Sequence, residues 1–246
     1  MKLLVLAAGQ GTRLRPLTDN IPKCMVPVNG IPILKIQLET AKRVNITDIH
    51  VVCGYREEVI QYPEITKHNN ELYETTNMVE SLFCAEAIMN DDLIISYGDI
   101  IYQDNVIQSL MNSALPISVV IDREWKRYWS ARMENPLEDA ETLKLNDDGT
   151  IQELGKKADS YDDIQGQYIG LIKFSKNVLP RIREFYHSLD RNVTYDGRSF
   201  EQMYMTTFLQ LLSDQVEPLN AVPVDNGWIE VDEPSDLDHV VFYDRA

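Results

Sequence analysis

Four short runs of apolar and β-branched residues punctuate the first half of the chain: Leu3 to Leu6, Ile49 to Cys53, Leu93 to Ser96 and Ile117 to Ile121. Runs that are apolar throughout, not at alternate positions, suit strands buried on both faces of a mainly parallel sheet. Between them the apolar residues recur at helical spacing. Ile33, Ile36, Thr40 and Val44 share one face of a first helix; Val79, Leu82, Phe83 and Ile88 mark a second. Val106, Ile107, Leu110 and Met111 mark a shorter third. This β-α-β-α-β-α-β order predicts an α/β fold, a doubly wound, mostly parallel mixed sheet flanked by helices, with right-handed crossovers.

The second half is less regular. Thr142 to Leu145 and Ile151 to Leu154 flank Asp147-Asp148-Gly149, the pattern of a hairpin. Tyr168 to Phe174 reads as a strand, Val178 to Tyr186 and Glu201 to Leu212 as helices. Val222 to Val224 and Trp228 to Val231 return to strand character, and Pro234 opens a terminal helix. We expect one domain over residues 1–246, whose second half, 122–246, completes the sheet begun by 1–121 and adds a small β-rich lid over its edge.

Composition narrows the function. A chain of 246 residues with 44% apolar and 25% charged positions has the mix of a soluble globular protein with a sizeable core. Its net charge of −16 opposes a nucleic-acid backbone or an anionic membrane, so any bound phosphate must meet a local basic cluster. Cys24, Cys53 and Cys84 form no paired motif, and His50, His68, His187 and His239 lack metal-ligand spacing. Inert, mostly buried thiols follow. No apolar run approaches the roughly 18 residues of a membrane helix. Met1 to Ala8 superficially resembles a signal peptide but runs at once into Gly9-Gln10-Gly11, so a cytoplasmic protein is expected. A homodimer stays open, because no interface can be read without a fold.

In an open α/β sheet ligands collect at the carboxyl ends of strands, here Gly9, Gly54-Tyr55, Gly98-Asp99 and Asp122-Arg123. The first end is a loop, Leu6-Ala7-Ala8-Gly9-Gln10-Gly11-Thr12-Arg13, whose small residues let successive backbone N–H groups face an anion. Leu14 at the third glycine position excludes a dinucleotide fingerprint, and no Gly-Lys-Ser/Thr follows to make a Walker A loop. On the glycines alone, a tight strand-to-helix turn is an equal reading.

The longer string changes this. Gly9-x-Gly11-Thr12-Arg13-Leu14-Arg15-Pro16-Leu17-Thr18, then Pro22-Lys23-Cys24-Met25-Val26-Pro27-Val28, then Pro32-Ile33-Leu34, resembles the signature of the nucleotidyltransferases. That family joins an NTP to a phosphomonoester and releases pyrophosphate. Gly54-Tyr55 and Gly98-Asp99 fall where it has counterparts. The resemblance implies a Rossmann-like fold with 1–121 as its nucleotide-binding half and 122–246 as an acceptor-binding half, with a β-rich acceptor-binding lid and a C-terminal metal-ligand strand, and in-line attack of an acceptor oxygen on the α-phosphorus. Two anions must meet, so the chemistry needs fixed cations more than acids and bases. It implies Arg13 on the leaving phosphates, Lys23 beside the α-phosphate and the amides of Ala8 to Thr12 around the triphosphate. Solvated surface charge is the competing reading of both cations.

An NTP normally arrives with Mg²⁺, held by one or two carboxylates, phosphate oxygens and water. Asp99 ends a buried strand, and Glu230 and Asp232, spaced i, i+2, project from one face if Trp228 to Asp232 is extended. Glu230-Val231-Asp232 also resembles the end motif of the small cytidylyltransferases. Asp99, Glu230 and Asp232 are therefore the expected metal ligands; Asp232 as a mere helix cap is the alternative, and Asp225 a weaker candidate.

Asn77 and Ser81 sit where a base edge could be read, though capping of the second helix is the default. The segment resembles the Asn-x-x-x-Ser-Leu element of phosphocholine-type cytidylyltransferases, which favours CTP. Residues 122–132 form a basic, aromatic island in an acidic chain, and Trp129 and Arg132 are its candidates for an anionic acceptor. Trp125 packing into the core is an equal reading. Asp139 and Glu141 could take an acceptor ammonium.

Glu153-Leu154-Gly155-Lys156-Lys157 resembles the family's acceptor-phosphate element without its proline, which narrows the lysine only to Lys156 or Lys157. Tyr168 and Gly170 lie in a segment resembling the adjoining substrate strand. The W-x-x-x-W-x-x-R and N-P-L-x-D-A-E stretches resemble enzymes acting on phosphocholine, aminoethylphosphonate or phosphoglutamine. Phosphocholine would need an aromatic cage, for which Trp125, Trp129 and Trp228 are available. The excess of Arg, Asp and Glu in 122–141 tilts toward the amino-acid acceptor, whose product, CDP-glutamine, serves phosphoramidate decoration of capsules. A sugar-1-phosphate enzyme remains the alternative within the class. A catalytically silent nucleotide-binding subunit is the alternative outside it, against which stand Lys23 and the retained carboxylates.

Overall fold

The computed structural model describes residues 1–240 and Tyr243. Its first strand, β1 (Lys2–Leu6), turns Leu3 and Val5 to one face and Leu4 and Leu6 to the other, all buried. That explains the unbroken apolar run: both faces are covered. A short ribbon, β2 (Pro27–Val28) and β3 (Ile31–Pro32), leads to α1 (Ile33–Arg43), β4 (Asp48–Cys53), β5 (Ile65–Asn69) and α2 (Met78–Cys84). Next come β6 (Leu93–Tyr97), β7 (Ile100–Tyr102), α3 (Asp104–Met111) and β8 (Ile117–Asp122). The second half supplies α4 (Trp125–Arg132), β9 (Glu141–Leu145), β10 (Ile151–Lys157), β11 (Gln167–Phe174) and α5 (Leu179–Ser188). It ends with α6 (Met205–Gln215), β12 (Leu219–Val224) and β13 (Trp228–Glu230).

Seven strands form the central sheet in the order β12-β8-β11-β6-β1-β4-β5. All neighbours are parallel except β11, which runs antiparallel to both β6 and β8. Apolar residues of α1, α3 and α4 pack on one face and those of α2, α5 and α6 on the other. The doubly wound mixed sheet is as expected, and β9 and β10 make the separate hairpin.

Three details depart from expectation. β5 escapes the pattern because Ile65-Thr66-Lys67-His68-Asn69 is too polar to look like a buried strand; it is the edge. Trp228 to Val231 does not complete the sheet: β13 pairs antiparallel with β7 as a ribbon of its own. The helix expected from Glu201 starts at Met205, since Phe200–Gln202 forms a 3-10 turn and Met203 and Tyr204 are extended. From Pro234 a 3-10 helix runs to His239; the rest of the expected terminal helix falls, apart from Val240 and Tyr243, outside the described residues. No described helix is long and apolar enough to cross a membrane.

Candidate active site

The carboxyl end of β1 opens between the ends of β4 and β6. The Ala7 N–H donates to Val52 O at 2.9 Å, and the Gly98 N–H to Leu6 O at 2.9 Å. A side chain at Gly98 would put its Cβ 2.7 Å from that same oxygen, so only glycine lets the β6 end close on the loop. The cleft so formed is lined by Leu6, Ala7, Ala8, Gly9, Lys23, Asn77, Ser81, Gly98 and Asp99, all expected from sequence, together with Cys24, Tyr73, Thr76 and Met78. Asn77 caps α2, its Oδ1 accepting from the Met78 N–H at 2.8 Å, and still faces the cleft. Ser81 Oγ accepts from Asn70 Nδ2 at 3.0 Å, leaving its own proton to donate.

Four of the expected nucleotide residues, Gln10 to Arg13, continue the loop outside this cleft. Two others are scaffold. Gly54 backs onto Tyr73, and Tyr55 donates its hydroxyl to Asp19 O at 2.8 Å while its N–H bonds Ala8 O, tying down the loop from behind. At the β8 end Asp122 is buried, accepting from Trp228 Nε1 and from the Glu124 and Asn226 N–H groups. Arg123 and Asp225 form an exposed ion pair with each other.

Beside the cleft, cations and carboxylates interlock. Lys23 follows Pro22 on a 3-10 turn, and its Nζ donates to Asp99 Oδ2 at 2.6 Å and to Asp232 Oδ1. Arg13 Nη2 reaches Asp232 Oδ2 at 2.7 Å. The Val231 N–H bonds Asp99 O at 2.9 Å, stitching β13 to the start of β7. Burial opposes the Lys23 charge, but Asp99, Asp232 and Glu230 outweigh it and hold the ammonium above its ordinary range. Burial also acts against the Asp232 carboxylate, yet Lys23 beside it brings its pKa down to about 2. Glu230 is pushed well up by burial, then by Asp232 and Asp99.

Ligand oxygens of Asp99, Glu230 and Asp232 lie within 4.8 Å of one another, and the buried Asp99 Oδ1 has no hydrogen-bond partner. An all-oxygen donor set with a spare inward-facing lone pair fits a hard divalent cation. Asp232 is not the helix cap: the capping box is made by Glu233 and Asp236.

A second cavity, about 290 Å³ against about 130 Å³ for the first, adjoins it; Asn77 and Met78 line both. Its walls carry Trp129, Asp139, Glu141, Tyr168, Gly170 and Glu230, and among its described lining residues none is basic. Trp129 Nε1 donates to Asp139 Oδ2 at 2.9 Å. Glu141 is exposed on the cavity wall, yet desolvation by the surrounding protein and then Asp139 raise its carboxyl to about 7.

Three acceptor candidates lie outside the lining of this cavity. Arg132 is not in this cavity: its side chain is 6% exposed and pairs with Glu230 and Asp236, because its helix face turns inward. Lys156 turns to Glu153 at 3.1 Å on the outside of the hairpin, while Lys157 stands across from Glu141 in register; neither lines the cavity. Trp125 packs against Trp129 and Tyr161 in the core and joins no cage.

Sequence reading missed the far wall: Tyr97, Gln167, Tyr204 and Thr206. Tyr97 and Gln167 adjoin quoted motifs and were within reach; Tyr204 and Thr206, where α6 begins without a side-chain cap, carry no signature. Arg198 Nη2 donates to Tyr204 Oη at 2.6 Å, which sets a cation against the wall of the cavity.

Residues 3–197 match the family model of the MobA-like NTP transferase domain. The chain is 44% identical over 250 aligned positions to a CTP:phosphoglutamine cytidylyltransferase of Campylobacter jejuni subsp. jejuni serotype O:2, covering 97% of this chain and 98% of that one. A choline-phosphate cytidylyltransferase of Streptococcus pneumoniae is 33% identical over 108 residues, 42% of this chain and 47% of its own. The inositol-1-phosphate CTP transferase from T. maritima shares the fold, with a TM-score of 0.75 at 23% identity over 98% of this chain and 93% of that one.

Proposed function

Because the chain belongs to the MobA-like NTP transferase family, we propose that it transfers CMP from CTP to phosphoglutamine, giving CDP-glutamine and pyrophosphate. An oxygen of the acceptor phosphate attacks the α-phosphorus of CTP. The new P–O bond forms as the bond to the β-phosphate bridging oxygen breaks, and pyrophosphate leaves with that electron pair. A phosphate oxygen is already anionic at neutral pH, so no residue need remove a proton.

One observation carries this reading. Two cavities meet at Asn77 and Met78, and the carboxylate cluster straddles the junction, with Asp99 in the first and Glu230 in the second. Two phosphates entering from opposite ends would converge there. Lys23 would exchange a carboxylate for the α-phosphate, Arg13 would take the leaving phosphates, and the Ala8 to Thr12 amides would hold the triphosphate. Ser81 and Asn77 would read the cytosine. Asp99, Glu230 and Asp232 would hold Mg²⁺, which when bound neutralises charge on the phosphate oxygens.

For the acceptor, Asp139 and Glu141 would take the α-ammonium, and Arg198, with Thr206 and the start of α6, an anionic group. A quaternary ammonium is the second reading, favoured by Trp129, Trp228 and Tyr168 in the same walls. Pyrophosphate release tests both, with each NTP and Mg²⁺ against phosphoglutamine, phosphocholine, aminoethylphosphonate and glucose-1-phosphate. Release with CTP and phosphoglutamine is expected. Preference for phosphocholine would shift the acceptor, and release with glucose-1-phosphate alone would overturn the reading.

A further inference from the structure

We infer that Arg132, together with Asp236, is a positioning residue that fixes the carboxylates of Glu230 and Asp232 from behind. The inference rests on those carboxylates being metal ligands.

Arg132 ends α4 and is nearly sealed from water, as is Asp236 with a side chain 4% exposed. Its Nε and Nη2 clasp Asp236 at 2.8 and 3.2 Å, and its Nη1 reaches Glu230 Oε2 at 3.3 Å. Asp236 Oδ2 in turn accepts the N–H groups of Asp232 and Glu233 at 2.7 and 2.8 Å. One guanidinium thus ties the Glu230 side chain to the turn that carries Asp232. Tyr128, one helical turn earlier, completes the brace by accepting the Glu230 N–H at 3.0 Å. A guanidinium fork suits this task because it meets two carboxylates in one plane; an ammonium cannot.

Charge alone and positioning predict opposite signs. A nearby cation repels a metal ion, so if charge were the only contribution, removing it would tighten metal binding. If Arg132 orients the ligands, removing it loosens binding, as loss of outer partners costs about 10–100-fold in metal affinity.

The test is Mn²⁺ titration of the full chain by electron paramagnetic resonance, with α,β-methylene-CTP present so that no turnover occurs. Wild type and Asp232→Asn come first: loss of Mn²⁺ binding in Asp232→Asn checks the metal site itself, apart from the brace. Arg132→Lys keeps the charge and loses the fork, and about 10-fold weaker Mn²⁺ binding is expected, with about 100-fold for Arg132→Gln. Circular dichroism verifies folding, and if Arg132→Gln does not fold, the lysine variant decides. Wild-type Mn²⁺ affinity in folded Arg132→Lys, or tighter binding in Arg132→Gln, would overturn the inference.

Discussion

Asp99, Glu230 and Asp232 stand at one end of the cleft with Lys23, Arg13 and Arg132 against them, whereas Asp139 and Glu141 at the other end meet an indole N–H and no lining cation. The residue types are the same; what opposes them differs. Carboxylates matched by internal cations can receive a metal and a phosphate together, because Lys23 and Arg13 keep a partner when phosphate replaces carboxylate. Carboxylates without such partners favour a ligand that brings its own positive charge. Under the proposed function, charge balance would separate an anion-handling end from a cation-seeking end, although both are acidic in sequence.

The largest effect should come from the first end. Lys23→Ala should lower kcat by about 10²–10³-fold, the cost of removing one donor aimed at developing charge. Its circular dichroism should match wild type, and turnover within a factor of a few would remove Lys23 from the chemistry.

At the second end, Glu141→Gln should raise KM for an amino-bearing acceptor by about 10–100-fold, from about 1.5–3 kcal/mol for a charge-assisted hydrogen bond. KM for CTP should stay put. If both move together, the two ends are not separate sites.

A milder version needs no mutation. With the Glu141 carboxyl raised to about 7, its anionic form is lost as pH falls through that value. Acceptor kcat/KM should then drop toward tenfold per unit below about pH 7, and Glu141→Gln should flatten this part of the profile. A decline that persists in the variant would assign the proton to another group.

These two ends were not equally legible. For the proposed nucleotide end the signals are local: Gly9, Lys23 and Asp99 stand out in a loop, a motif and a strand end, and Glu230 and Asp232 by i, i+2 spacing and a resembling motif; the structure brings Lys23, Asp99, Glu230 and Asp232 together. The acceptor end is assembled from segments without a shared motif. Arg132 looked like an open basic site because its partner, Asp236, arrives 104 residues later, and local pattern cannot tell a buried ion pair from a solvated one. Tyr204 and Thr206 come to the cavity only through the packing of α6, and Arg198 meets it only through the Tyr204 hydroxyl. Tyr55 shows the opposite error: it sits in the right motif but works on the loop backbone.

The smallest effect serves as a control on the pH comparison. His50 Nδ1 lies 3.0 Å from His68 Nε2 on the far edge of the sheet, with Asp48 2.9 Å from the other His50 nitrogen. Burial lowers both pKa values, with Lys2 also acting against the His50 charge and His50 against that of His68. Folded-state values below the ordinary 6.5 mean that the folded chain binds fewer protons than the unfolded one as pH falls. The contribution to stability is therefore present above about pH 6.5 and lost on acidification below it. His68→Gln should make the fall in thermal midpoint between pH 7 and 5 shallower while leaving the acceptor KM profile unchanged. If His68→Gln also shifted the acceptor profile, loss of fold would explain the acid decline, and the electrostatic contrast between the two ends would lose its kinetic support.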